Sequence, residues 1–137
     1  MKKIIILIPV YNDWQSLEKL VEDINLKVKN INCKFSIFII NDGSTEKYDD
    51  KKYSTEEIKV EVVSLLKNVG HARSIATGLK YIYDKEDFDY VSIVKAFTDR
   101  QEALDFQNQC KEDGTFVGYA DLNAFPPMAI QKWIELQ

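Results

Sequence analysis

A run of apolar residues near the start of the chain is the feature that most constrains its fold. Residues 4–10 read Ile-Ile-Ile-Leu-Ile-Pro-Val, and Tyr11-Asn12-Asp13 ends the run abruptly. A continuous branched run is typical of a strand that is covered on both faces, as in a parallel sheet. The run is much shorter than the roughly 20 apolar residues that span a bilayer, and no small-residue cleavage site follows it. It therefore predicts an interior strand rather than a signal peptide or a membrane span.

Strand and helix patterns alternate after this first strand. Apolar residues at helical spacing predict a helix over residues 14–28, and apolar runs at 35–40 and 58–65 predict two further strands. The partial alternation of the third strand indicates an edge. A second helix is predicted at 72–82 and a fourth strand at 90–97. This order predicts a three-layer α/β fold with a mostly parallel sheet and helices on both faces, the first strand lying between the second and the fourth.

Residues 95–137 are predicted to complete the same domain as a helix at 98–110, a strand, and a last helix opened by Pro126 and Pro127. Their composition differs from that of the preceding part. Isoleucine falls from 13 residues before position 95 to 2 residues from there on. We therefore predict one domain over residues 1–137 with a divergent late segment.

Composition excludes several classes of protein. The chain has 18 basic and 22 acidic residues, a net charge of −4, so it lacks a basic surface for nucleic acid. Cys33 and Cys110 are far apart and His71 is the single histidine, which argues against structural zinc, a disulfide framework or a catalytic histidine. We expect a cytoplasmic protein with reduced thiols and no transmembrane segment.

Three polar segments follow predicted strands, at residues 9–13, 41–45 and 68–73. In an open parallel sheet, ligands bind beyond the carboxyl ends of the strands. We therefore expect these segments to lie together on one rim of the sheet and to carry any binding site.

In this order and spacing, the segments Ile-Pro-Val-Tyr-Asn-Asp, Asn-Asp-Gly-Ser-Thr and Asn-x-Gly-His-x-Arg-x-x-Ala-x-Gly-Leu form a specific combination. It resembles the nucleotide-binding half of family 2 glycosyltransferases, especially the polyprenyl-phosphate sugar transferase type. The resemblance covers roughly residues 3–94. It implies the GT-A, Rossmann-like fold and a UDP- or GDP-sugar as the ligand.

The resemblance also implies roles for individual residues. The Tyr11–Asp13 loop would hold the base and ribose, Asp42 would accept hydrogen bonds from base ring nitrogens, and Arg73 would face the diphosphate. The candidate donor-binding residues of the chain are Pro9, Tyr11, Asn12, Asp13, Asp42, Gly70, Arg73 and Lys95. As a carboxylate of the rim, Asp42 is expected to matter for recognition more than for folding.

Structural explanations compete with these roles. Asn12 or Asp13 is a suitable N-cap for the first helix, and Asp42-Gly43 is a common turn sequence. Small residues of the second helix, among them Ala72, Ala76 and Gly78, suit close packing on the sheet. Arg73 would then be a solvated surface charge.

The sequence departs from the family pattern after the fourth strand. There the family has an Asp-x-Asp pair that holds Mg²⁺ or Mn²⁺, whereas this chain has Lys95 and Phe97 at the two positions. Lys95 either places its ammonium beside a phosphate or is an exposed lysine at a strand end. We therefore predict no metal ligands here and weak, largely metal-independent nucleotide binding.

The leading hypothesis is a glycosyltransferase-like domain that binds a nucleotide-diphosphate sugar, with transferase activity left open. The alternative is a non-catalytic interaction module, or a truncated or fused fragment, with a vestigial pocket. In that case the last helix, with Trp133 and Ile134, would contact a protein partner or a second copy. A phosphoacceptor receiver domain ranks last, because the strand positions of its characteristic residues do not match.

Overall fold

The computed structural model alternates parallel strands with helices. It describes residues 1–48, 53, 55, 57–94, 101, 104, 105 and 108. The elements in this part of the chain are β1 (Lys2–Val10), α1 (Trp14–Val28), β2 (Cys33–Asn41), β3 (Lys59–Ser64), α2 (His71–Lys85) and β4 (Tyr90–Ile93).

The sheet has the strand order β3-β2-β1-β4, and every neighbouring pair is parallel. Strand β1 lies in the interior, where Ile4 pairs with Phe35 on one side and with Tyr90 on the other. Strand β3 is an edge of the described sheet and is only half-buried. The predicted position of the first strand and the predicted edge are both confirmed.

Strand β1 separates two hydrophobic cores. Its even-numbered residues from Ile4 to Val10 pack with the apolar face of α1, and Ile5 and Leu7 pack on the other face with Ile82 of α2. Residues 4–10 are buried throughout. The apolar run is continuous because both faces of β1 are covered, as inferred from the sequence. The α/β fold with helices on both faces of the sheet is confirmed.

The buried face of α2 differs from the predicted one. Ser74, Gly78 and Ile82 are buried, whereas Ala72 and Ala76 are exposed. A Cβ atom on Gly78 would lie 2.7 Å from Ile40 Cγ1 and 2.9 Å from Leu7 Cδ1. The helix approaches the sheet most closely at Gly78, and this approach sets the rotation of the helix. The predicted close packing against the sheet is therefore confirmed for Gly78 and wrong for Ala72 and Ala76.

We expect Gly78→Ala to lower the free energy of unfolding by about 1–2 kcal/mol, although alanine favours a helix over glycine by about 1 kcal/mol. The added methyl must displace Ile40 or Leu7 in a filled core. Urea denaturation is the measurement, and Ala76→Leu on the exposed face of the same helix is the control, with a change within about 0.5 kcal/mol. A stabilised Gly78→Ala protein would contradict the close packing.

Most predictions for residues 95–137 fall outside the described residues, including Lys95, Phe97 and the last helix. Gln101, Leu104, Asp105 and Asn108 are helical, in line with the helix predicted at 98–110. Within the described part of the chain, no helix combines the length and the apolar character that crossing a membrane requires.

Candidate functional site

The three polar segments lie side by side at the carboxyl ends of β1, β2 and β3. Backbone hydrogen bonds continue the sheet beyond the strand ends: the Asp42 N–H donates to the Val10 carbonyl at 2.8 Å, and the Leu65 N–H donates to the Asn41 carbonyl at 2.9 Å. The predicted common rim is confirmed. We name its loops the first loop (residues 11–13), the second loop (42–48) and the third loop (65–70).

Asp42 connects the second loop to the third. Its Oδ1 accepts the Val69 N–H at 2.8 Å, and its Oδ2 accepts the Gly70 N–H at 3.1 Å and Asn68 Nδ2 at 3.2 Å. The residue is 2% exposed. These donors compensate the carboxylate for the loss of water. The expectation that Asp42 contributes little to folding conflicts with this burial, which arises because the third loop folds over the end of β2.

Gly43 allows the same two loops to approach. Its φ is +67°, and a Cβ atom there would overlap the Asn68 nitrogen and the Lys67 carbonyl carbon. Gly70 also has a positive φ, +89°, but its Cβ direction is open. The second loop therefore needs glycine for both conformation and space, and the third loop needs it for conformation alone.

Asn12 connects the first loop to the second. Its Oδ1 accepts the Thr45 N–H at 2.8 Å and the Glu46 N–H at 3.0 Å, and its Nδ2 donates to Thr45 Oγ1 at 3.1 Å. The Asn12 N–H donates to Ser44 Oγ at 2.9 Å. No side chain caps α1, although Asp13 occupies the N-cap position. Asp13 is thus the N-cap residue, as one of the two predicted alternatives, but without a capping hydrogen bond. The prediction is wrong for Asn12, which adopts φ +58° and whose side chain bonds to the second loop instead.

Further side-chain contacts hold the loops at the ends of β2 and β3. Asn41 is buried, accepts the Ser44 N–H at 3.0 Å and donates to Ser64 Oγ at 3.1 Å. Tyr48 shares a 3.0 Å hydrogen bond with Ser64 and stacks on Trp14 with ring centroids 4.2 Å apart. Sequence reasoning missed Tyr48 and Ser64, because neither lies in a motif and only the fold brings them together.

The remaining implied site residues have different surroundings. Tyr11 is 42% exposed and Asp13 is half-buried. Gly70 and Arg73 are exposed at the start of α2. Pro9 is buried within β1. It lies beyond Leu7, the last β1 residue that pairs with β4, so the missing N–H group of Pro9 removes no described hydrogen bond between these two strands. Of these residues, Tyr11, Asp13 and Arg73 have side chains that a ligand can reach.

The resolved shifts of pKa belong to groups near the other end of the sheet. The pKa of Tyr81 is raised chiefly because its hydroxyl donates to the Glu61 carboxylate at 2.8 Å. The pKa of Asp87 is lowered chiefly by the hydrogen bond from the Lys3 ammonium at 2.7 Å. These contacts join strands near their amino ends to the end of α2 and the segment after it. They are surface pairs that support the fold.

The described residues lack a cluster of the side chains that usually bind metal ions. They contain no group of three His, Cys, Asp or Glu side chains that could hold a metal ion. Up to Val94, β4 and the residue after it contain two hydroxyl groups, those of Tyr90 and the buried Ser92, and no carboxylate. The positions where the family has its acidic pair, 95 and 97, lie outside the described residues, so their lack of ligands stays a prediction.

Comparisons with known proteins agree on the family. The family model for glycosyl transferase family 2 matches residues 5–95. CsbB of Bacillus subtilis (strain 168), which carries a provisional glycosyltransferase name, is 30% identical over 82 residues, which make up 56% of this chain and 24% of that protein.

The crystal structure of S. aureus TarS 1–349 resembles this chain in fold, with a TM-score of 0.55 and 19% identity over 80% of this chain and 32% of that one. The chain thus spans only about a quarter to a third of the length of these relatives. Since the family model covers more than half of the chain, the chain belongs to glycosyl transferase family 2.

Proposed function

We propose that the three rim loops bind the nucleotide part of a UDP- or GDP-sugar. The observation that carries this proposal is the Asp42 carboxylate, which lies at the end of β2 and ties the third loop to the second. Ligands of open parallel sheets bind at this end of the strands, and the family uses nucleotide-sugar donors.

The hydrogen-bonding capacity of Asp42 supports recognition of a base. A carboxylate has about four acceptor positions, and the third loop occupies three of them, two on Oδ2 and one on Oδ1. The remaining position on Oδ1 suits the ring N–H of uracil or guanine. A base that lacks this donor would leave the fourth acceptor position of the buried carboxylate unused and would be disfavoured.

Two exposed groups suit the other parts of the ligand. The Tyr11 ring offers a face for stacking on a base. The Arg73 guanidinium lies in the first turn of α2, where the free N–H groups of the helix also favour a diphosphate. Lys95, which follows β4 in the sequence, would add a positive charge for the diphosphate, and for this reason we expect binding without a metal ion.

Binding of the nucleotide sugar needs only the rim loops, whereas transfer of the sugar also needs an acceptor site and a catalytic general base. The relatives named above are three to four times longer than the matching segment. We therefore propose donor binding for this chain and assign no catalytic residue. A cytoplasmic setting belongs to the same proposal.

Isothermal titration calorimetry with UDP, GDP and their sugars tests the proposal, and ADP serves as a control. We expect UDP or GDP to bind with a Kd on the order of 0.1–1 mM, with and without Mn²⁺, and ADP to bind more weakly. Absence of binding by every nucleotide would overturn the proposal. A strong Mn²⁺ requirement would show that carboxylates outside the described residues build a metal site.

Tyr11→Ala isolates the stacking contact. Loss of a base–aromatic stack is expected to weaken binding about tenfold. The melting temperature should change little, because Tyr11 is 42% exposed and belongs to neither hydrophobic core. Tyr83→Ala removes a 77% exposed tyrosine from α2 and is the control. Equal affinities of the two variants would remove Tyr11 from the proposed site.

A further inference from the structure

We propose that Asn12 is a positioning residue that holds the second loop in the binding conformation and does not itself contact the ligand. This inference rests on the proposed donor site, in which the first loop was expected to contact base and ribose. It assigns Asn12 a different task from that of its neighbours Tyr11 and Asp13.

The acceptor capacity of the Asn12 side chain is used within the protein. An amide oxygen has two lone pairs, and the Thr45 and Glu46 N–H groups occupy both. One Nδ2 hydrogen is directed to Thr45 Oγ1. A ligand could use the Asn12 oxygen only by displacing a backbone N–H of the second loop.

The backbone of Asn12 explains why this residue type stands here. With φ at +58°, the position lies in the left-handed region, which asparagine tolerates better than most residues other than glycine. The same turn directs the Asn12 N–H to Ser44 Oγ. Glycine would keep the turn but lose the side chain, and aspartate would keep both the turn and an acceptor oxygen.

Asn12 is the first member of a chain of hydrogen bonds beneath the rim. Ser44, which accepts the Asn12 N–H, donates its own N–H to Asn41, and Asn41 donates to Ser64 at the end of β3. The first loop is thereby connected to all three strand ends. A loop that is ordered before binding does not have to lose conformational freedom on binding, and affinity rises accordingly.

The test compares Asn12→Gly with Asn12→Asp by two measurements. NMR amide exchange of Thr45 and Glu46 in the ligand-free protein measures how well the second loop is ordered. Calorimetry measures the affinity for UDP and GDP. In Asn12→Gly we expect exchange about tenfold faster or more at both amides, and nucleotide affinity about 10- to 100-fold weaker. In Asn12→Asp we expect both quantities within about threefold of the original protein, since aspartate retains the acceptor.

Three results would overturn the proposal. Loss of binding in Asn12→Asp with protected amides would show direct ligand contact. Unchanged affinity in Asn12→Gly would show that the loop needs no positioning, and unchanged exchange would show that Asn12 does not hold it. If the original protein binds neither nucleotide, the proposed function fails, and faster exchange in Asn12→Gly would leave Asn12 a purely structural residue.

Discussion

Gly43→Ala is expected to lower the free energy of unfolding by about 2–5 kcal/mol and to abolish nucleotide binding at the rim. The substitution combines two costs. Alanine must adopt φ +67°, and its methyl group overlaps the main chain of Lys67 and Asn68. A side chain could rotate away from a clash, but backbone atoms of the third loop can only move with the whole loop. That movement would break the contacts of Asp42 with Val69 and Gly70.

Gly70→Ala is the matched control for Gly43→Ala. Its φ is also positive, but no atom lies within 4 Å of the added methyl. Only the conformational cost applies, about 1–3 kcal/mol, because φ +89° with ψ 163° is a region that is essentially restricted to glycine. Urea denaturation of both variants separates the energetic cost of the backbone conformation from the cost of the steric overlap. Equal losses of stability would contradict the close approach of the second and third loops at Gly43.

Asp42→Ala is expected to lower the free energy of unfolding by about 2–4 kcal/mol and to remove base selectivity. The carboxylate accepts hydrogen bonds from Asn68, Val69 and Gly70, and alanine would leave these donors without partners. Asp42→Asn should recover only part of the loss, because the amide has one acceptor oxygen and directs N–H groups at other donors.

Asp13→Ala is the control for Asp42→Ala, since it removes a carboxylate from the same rim that makes no capping hydrogen bond. We expect its stability within about 0.5 kcal/mol of the original protein. Thermal and urea unfolding measure stability, and calorimetry with UDP and GDP measures binding. An Asp42→Ala protein with full stability but no binding would mean that the third loop holds its position without the carboxylate.

Predicting the site from the sequence succeeded for the positions of the loops and failed for several directions of side chains. Parallel strands end at one edge, so motifs that follow strands must lie together, and they do. The bonds of Asn12 and Asp42 depend on partners 26 to 34 residues away in the chain. Local sequence rules contain no information on such partners, so they left a helix cap as an alternative role for Asn12 and predicted a surface position for Asp42.

The amino-acid sequence by itself determined the α/β architecture, the interior position of β1 and the position of β3 at an edge of the described sheet. Continuous apolar runs and helical spacing encode burial directly, because each residue's solvation depends mainly on its own side chain and on its neighbours along the element. Only the tertiary structure decided which small residue of α2 faces the sheet and that Asp42 is buried. It also decided that Gly43 has no room for a side chain, because the backbone of the third loop packs against it. These features depend on the distance of closest approach between segments that are remote in the chain. That distance results from the packing of the whole core, in which Gly78 meets Ile40 and Leu7.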